Sequence, residues 1–486
     1  MNKKSIKKNY LYNLSYQILV MLLPFITTPY VSRILGVTNI GIYSYTLSIS
    51  TFFILFGSLG VALYGQREIA FVQEDKKKYS KIFWEILLLR CISMFISIVI
   101  FWFTFANGNN DYKIYYRILL VELLANVVDI SWFFQGLEEF KKTVIRNTLV
   151  KILSLIAIFT LVKDENDLVK YFLIYVLSNF LGNFSLWFYL PRYLTNCNFR
   201  ELQPFKHLKP TLFLFIPQIA IQVYTLLDKT MIGAIISDKS EVGYYEQAQK
   251  IVKTALTIIT SLGTVMMPRI ANTYSKGEKK KVKSYMKKSF NLVFLLAFPI
   301  IFGLISVSDD FVPVFFGDGY ERTAEIIKII SPIILLIGLS NVTGTQYLLP
   351  TKRQNQYTIS VVCGSIVNFI MNLILIRKLG AIGASIGTVI AEFTVTSIQI
   401  YFTRDDFELK EVIKLSKNYA FSAIIMFMVC LILRHMINSN FISVVVQVIV
   451  GAMTYGVILL LMRDKFVKEF INKILKKIPI IKRLVP

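Results

Sequence analysis

Three lysines in two neighbouring apolar stretches are the first residues in this sequence that could do chemistry. Between residues 210 and 236, Gln218, Gln222, Thr225 and Lys229 recur at steps of 4, 3 and 4, which lines them along one face of a helix. Between 242 and 270, Glu246, Lys250, Lys253, Thr257 and Ser261 form a second stripe of the same kind. Charge inside an apolar stretch is costly unless it faces a partner or a wet cavity. Two adjacent stripes could therefore line a cationic cavity suited to phosphates, since lysine supplies both charge and N–H donors. Internal pairing is the plainer account, for example Lys250 with Glu246, or Lys229 with a neighbour of Asp228. An acidic set lies earlier, where Glu122, Asn126 and Asp129 are spaced by 4 and 3. These carboxylates could hold a coupling proton or sodium ion, or could neutralise Arg90 or Lys151 on neighbouring helices. Glu392 is an isolated carboxylate with the same two readings, and Arg33, just after Pro24 and Pro29, either faces a cavity or snorkels to the membrane surface.

Of 486 residues, 55% are hydrophobic and 17% charged, so the elements that position these groups sit in a bilayer rather than in a soluble core. A membrane helix needs about 20 mainly apolar residues. Runs of that length are expected near 9–35, 40–64, 82–106, 113–136, 143–163 and 168–190, then near 210–236, 242–270, 288–308, 323–348, 355–376 and 381–402, and last near 417–437 and 442–462. The expected architecture is all-α and integral to the membrane, with about 14 transmembrane helices. It divides into an N-lobe (1–190), a basic linker (191–209), a C-lobe (210–402), and two final helices with a basic tail (403–486). The net charge of +24 gathers in alternate connections, beginning with the N-terminal tail. By the positive-inside rule both termini are expected in the cytoplasm, and nucleic acid is not an expected partner. The apolar run after Lys3, Lys4, Lys7 and Lys8 lacks a small-residue cleavage pattern, so it reads as a retained first helix.

The halves carry a faint repeat: Gly41-Ile42-Tyr43 returns as Gly243-Tyr244-Tyr245, and Ser58-Leu59-Gly60 as Ser261-Leu262-Gly263. An even number of helices between copies implies parallel repeats around an axis along the membrane normal. No phosphate-binding loop of the G-x-x-x-x-G-K-[ST] kind is present, the two histidines fall at expected helix ends or loops, and Cys91, Cys197, Cys363 and Cys430 are widely separated. Asp309-Asp310 and Asp405-Asp406 are expected in loops too short for a nucleotide-binding domain. The chain is thus expected to be a transporter without cofactor or metal, not an enzyme.

Several segments together resemble the oligosaccharide repeat-unit flippases of the multidrug/oligosaccharidyl-lipid/polysaccharide exporter superfamily. They include Leu23-Pro24, Pro29 to Gly36, Gly41 to Tyr45, Tyr64 to Ala70, Leu227 to Gly233, Val242 to Tyr245, Met267-Pro268-Arg269 and Phe315 to Tyr320. The resemblance implies two six-helix lobes around a central cavity plus two C-terminal helices, alternating access, and a bacterial cytoplasmic-membrane location. It also implies a substrate of undecaprenyl pyrophosphate carrying a short oligosaccharide, destined for capsule, exopolysaccharide or another surface glycan. Polymerase and glycosyltransferase neighbours of the same pathway would follow. In related lipid II flippases basic residues line the cavity, and the positions matching in place are Arg33, Lys250 and Lys253; Lys229 matches the Asp-Lys pair of the repeat-unit exporters. On this reading Arg33, Lys229, Lys250 and Lys253 bind pyrophosphate, Gln218, Gln222, Thr225 and Thr257 line the cavity, and Glu122, Asp129 and Glu392 are the coupling-cation candidates. The alternatives are a multidrug cation antiporter, a lipid II flippase, or a membrane-embedded polymerase.

Overall fold

Apolar runs flanked by basic turns leave the backbone no partner in lipid but itself, so helices are the outcome wherever such a run spans the bilayer. The computed structural model describes residues 6–407, 409–437, 441–464 and 466–468. Its α-helices, in chain order, are α1 (Ile6–Ser58), α2 (Val61–Phe71), α3 (Lys76–Phe101), α4 (Lys113–Val127), α5 (Ser131–Gly136), α6 (Phe140–Leu161), α7 (Leu168–Ser185) and α8 (Leu208–Ile235). They continue with α9 (Ser240–Ser275), α10 (Lys279–Phe316), α11 (Glu321–Ile330), α12 (Ile333–Ser340), α13 (Gln354–Leu379), α14 (Ala381–Thr403), α15 (Leu409–Met436) and α16 (Phe441–Leu461). No strand occurs among the described residues.

Twelve stretches among the described residues are long and apolar enough to cross a membrane. The first, Leu23–Phe71, holds two of the expected spans joined at Gly36, whose φ of 73° and ψ of 168° suit a residue without a Cβ. With α8, 28 residues long, this returns the expected count of about fourteen. Many outward side chains are apolar, with Phe95, Phe103, Phe213, Val265 and Leu461 all more than half exposed, as a lipid-facing surface allows.

Pro24 and Pro29 lie within α1, whose one position with non-helical dihedrals is Gly36. Two expectations are corrected. The span expected over 40–64 stops at Ser58, because Leu59 and Gly60 take positive φ before α2 begins. Asp309 and Asp310 lie inside α10 rather than in a loop. That helix can run on because Asp309 is met by Lys328 at 2.6 Å and Arg434 at 2.5 Å, and Asp310 by Gln447 at 2.7 Å. The span near 323–348 is also segmented, into α11, α12 and a π-helical turn at Asn341–Leu348.

Two compact units divide the chain, Met1–Glu246 and Gln247–Pro486. In the first, one apolar core gathers Val31, Leu35 and Ile49 of α1 with Met94, Phe101, Leu119 and Phe172. A second holds Phe83, Trp132, Phe133 and Leu186. In the second unit α13 and α14 pack closely where Gly364 meets Val395 and Gly387 meets Asn372, the small-residue contact that membrane helices favour.

Candidate functional site

The first unit places Lys229 in a polar network at the junction of α1, α8 and the start of α9. Its Nζ forms an ion pair with Glu246, whose Oε2 also accepts a hydrogen bond from the Ser44 hydroxyl at 2.9 Å. Lys229 and Glu246 are 18% and 15% exposed, so the pair is sheltered but reachable. Asp228 is buried beside it and accepts a bond from the Tyr245 hydroxyl. One turn away Thr230 and Ser48 share a hydrogen bond of 2.8 Å. The helical stripe on α8 therefore delivers Lys229 to a counter-ion from another helix, which the sequence left open.

The same junction explains the repeat. Thr38 meets Ser240 at 2.7 Å and Ser44 meets Glu246, each pair separated by 202 residues. Between them, a Cβ on Gly41 would stand 1.7 Å from the Lys239 carbonyl oxygen, and one on Gly243 would stand 2.2 Å from that of Val37. Val37 and Lys239 are themselves equivalent positions of the repeat. Residue i touching j′ while j touches i′ is the signature of a two-fold interface, here built within one chain.

Arg33 is exposed on α1, across the Gly36 break from Ser44. In the second unit Lys253 and Thr257 are exposed on one face of α9, and Lys250 is partly buried. Hydroxyls here bond back to their own helix, Thr254 to the Lys250 carbonyl and Thr257 to the Thr254 carbonyl, both at 2.6 Å. On α8, Gln222 is exposed and Thr225 partly buried, while the side chain of Gln218 lies outside those described.

Within the first unit, Glu122 and Asp129 meet different partners. Glu122 is buried, and both its carboxylate oxygens accept from the Asn179 amide at 3.1 Å. Tyr43 packs edge-on against Tyr171, Phe172 and Tyr175 in the same core. Asp129 lies beyond the end of α4, where its carboxylate accepts from the Ser131 N–H at 2.9 Å and stands 4.0 Å from Arg90. Glu392 is buried on α14 in the second unit.

One cluster escaped the sequence reading. Glu85 is fully buried in α3, yet it accepts from the Gln203 N–H at 3.1 Å and the Lys206 ammonium at 2.6 Å, and contacts His207 Nε2 at 3.1 Å. His207 Nδ1 in turn meets the Tyr64 hydroxyl at 2.7 Å. A carboxylate only accepts, so Nε2–H donates to Glu85 and Tyr64 donates to Nδ1. This docks the connection between α7 and α8 onto α2 and α3. Burial holds the His207 imidazole below its usual value, against the opposing pull of Glu85. A lone glutamate inside an apolar run was the signal available for it.

Comparisons with known proteins bear on this arrangement. Residues 6–274 match the family described as Polysaccharide biosynthesis protein, and residues 172–451 match the family of the lipid II flippase MurJ. The "Putative O-antigen transporter" of Escherichia coli (strain K12) is 25% identical over 411 residues, covering 83% of this chain and 98% of that protein. The lipid II flippase MurJ of Bacillus subtilis (strain 168) is 24% identical over 143 residues, 29% of this chain and 26% of that one. Among solved structures, the lipid II flippase MurJ in an inward closed conformation has a TM-score of 0.72 at 16% identity, covering 94% of this chain and 99% of its own. An inward-facing MATE family transporter of the MOP superfamily has a TM-score of 0.65 at 14% identity, covering 84% and 99%. Those two likenesses carry the fold alone. The sequence matches carry more: this multi-pass membrane chain belongs to the polysaccharide biosynthesis protein family.

Proposed function

We propose that the chain is a flippase that carries undecaprenyl-pyrophosphate-linked oligosaccharide repeat units from the cytoplasmic to the outer leaflet of a bacterial inner membrane, by alternating access. The observation that carries this reading is Lys229, a lysine held at membrane depth in a sheltered but reachable ion pair within a chain of this family. Sugar hydroxyls and a pyrophosphate lose their hydration in hydrocarbon, so a polar, cationic path must replace it. Lys229, Lys250, Lys253 and Arg33 hold the pyrophosphate, and Gln218, Gln222, Thr225 and Thr257 serve the sugars, while the prenyl chain stays in lipid. Both termini are cytoplasmic, and the moving parts are an N-lobe of 1–190 and a C-lobe of 210–402, with 191–209 between them. An inside-negative potential favours outward movement of the anion by about 2.3 kcal/mol per charge per 100 mV. Glu122, buried and clasped by Asn179, is the first candidate to carry a coupling proton or sodium ion, with Asp129 and Glu392 the alternatives. A polymerase and glycosyltransferases of the same pathway consume and supply the substrate.

The test is transport in proteoliposomes loaded with an undecaprenyl-pyrophosphate oligosaccharide, read by its exposure to an external lectin, with and without an imposed potential or ion gradient. Exposure should depend on the protein and rise with an outside-positive potential. Lys253→Glu should abolish it, and Glu122→Gln should leave potential-driven exposure while removing its dependence on the ion gradient. Full exposure by Lys253→Glu would sink the cationic path.

A further inference from the structure

Resting on that reading, we infer that Glu246 is an internal stand-in for the substrate's phosphate: it leaves Lys229 when the anion arrives and returns to expel it. The donor set argues for this. One carboxylate oxygen of Glu246 is held by an ammonium and by the Ser44 hydroxyl at 2.9 Å, the groups a phosphate oxygen would take in the same place.

The neighbouring acid does not fit the role. Asp228 is 2% exposed and bound to the Tyr245 hydroxyl, so it is locked in the structure, whereas Glu246 keeps 15% of its side chain open. Lys229 on α8, Tyr43 on α1 and Tyr171 on α7 are among the titratable groups near Glu246, whereas Asp228 is engaged by Tyr245. Glu246 thus already supplies the counter-charge of Lys229. A phosphate added without the departure of Glu246 would put a second anion on that ammonium, and like charges at this distance disfavour one another strongly. Occupancy by Glu246 and by phosphate is therefore mutually exclusive.

Position supplies the second half of the cycle. Glu246 stands one helical turn beyond Gly243, on the seam where α1 and α9 meet at equivalent positions. When the seam closes, Ser44 and Lys229 are again presented to it, and the returning carboxylate competes the phosphate off. Glu246 is a positioning and release residue, not a substrate ligand.

The experiment measures binding of undecaprenyl pyrophosphate to the full chain in nanodiscs, beside lectin-detected turnover, for wild type, Glu246→Gln, Glu246→Asp, Lys229→Gln and the Lys229→Gln/Glu246→Gln pair. Thermal unfolding of each variant reports folding. Glu246→Gln keeps the shape and loses the charge, so its affinity should rise on the order of tenfold, the scale of a sheltered ion pair, while turnover falls. Glu246→Asp should restore much of the wild-type balance. Lys229→Gln should weaken binding, and adding Glu246→Gln to it should bring no gain. Unchanged or weaker binding by folded Glu246→Gln, with Lys229→Gln still impaired, overturns the stand-in and leaves the flippase reading intact. Unchanged binding by Lys229→Gln removes the anion site itself, and the stand-in with it.

Discussion

Replacing Gly41 by alanine would place a methyl carbon 1.7 Å from the Lys239 carbonyl oxygen and 2.7 Å from its carbonyl carbon. Both are backbone atoms, so no rotamer change can make room. The seam must part by about 1.5 Å to restore a normal contact. Overpacking of this kind costs about 1–3 kcal/mol, and the cost falls on the closed seam alone, so the closed-to-open ratio should drop by a factor of about 5–150. The assay is a disulfide between Thr38→Cys and Ser240→Cys, whose hydroxyls meet at 2.7 Å, in a background where the free cysteines Cys91, Cys197, Cys363 and Cys430 have been replaced. Without Gly41→Ala the pair should cross-link readily under mild oxidation. With it, the yield at early times should fall severalfold, and transport should change in step. Equal yield and equal thermal stability with and without Gly41→Ala would refute the close approach of the repeated glycines.

Two further outcomes follow from clusters away from the lysines. His207 is held below the ordinary imidazole value mainly by burial, so the folded state binds that proton more weakly than the unfolded one. The stability it contributes is present above pH 6.5 and is lost as the pH falls below it; His207→Gln should flatten the fall in thermal midpoint between about pH 7 and 5. Asp309→Asn should destabilise the second unit by about 1–2 kcal/mol, discounted for the roughly one-third exposure of Lys328 and Arg434. A double variant, Asp309→Asn with Lys328→Met, should recover part of that loss in a thermal unfolding scan.

The membrane class and the spans were legible because apolar runs of this length have few other uses, and their order survives in α1 to α16. The offset of the repeat was legible too, and Thr38–Ser240 and Ser44–Glu246 carry it into contact. Features set by distant partners were not. Asp309 and Asp310 read as loop residues because the charges that let α10 continue, Lys328 and Arg434, lie 19 and 125 residues away. Glu85 gave no hint of its partners, since Gln203 is 118 residues on. The stripe Glu122–Asn126–Asp129 assumed one unbroken helix, whereas α4 ends at Val127 and sends Asp129 to Arg90. Helical phase reports a face, but not what stands opposite.

The Ser44–Glu246 contact also bears on how such a chain could arise. Two identical half-length chains paired about a dyad would set like against like at this place, serine on serine or glutamate on glutamate. The first pairing offers no anion, and the second forces two carboxylates together without a donor between them. Fusing the halves into one polypeptide lets each copy mutate alone, so one side can keep the hydroxyl while the other gains the acid. The asymmetry that Lys229 depends on is thus available to a tandem gene and denied to a homodimer.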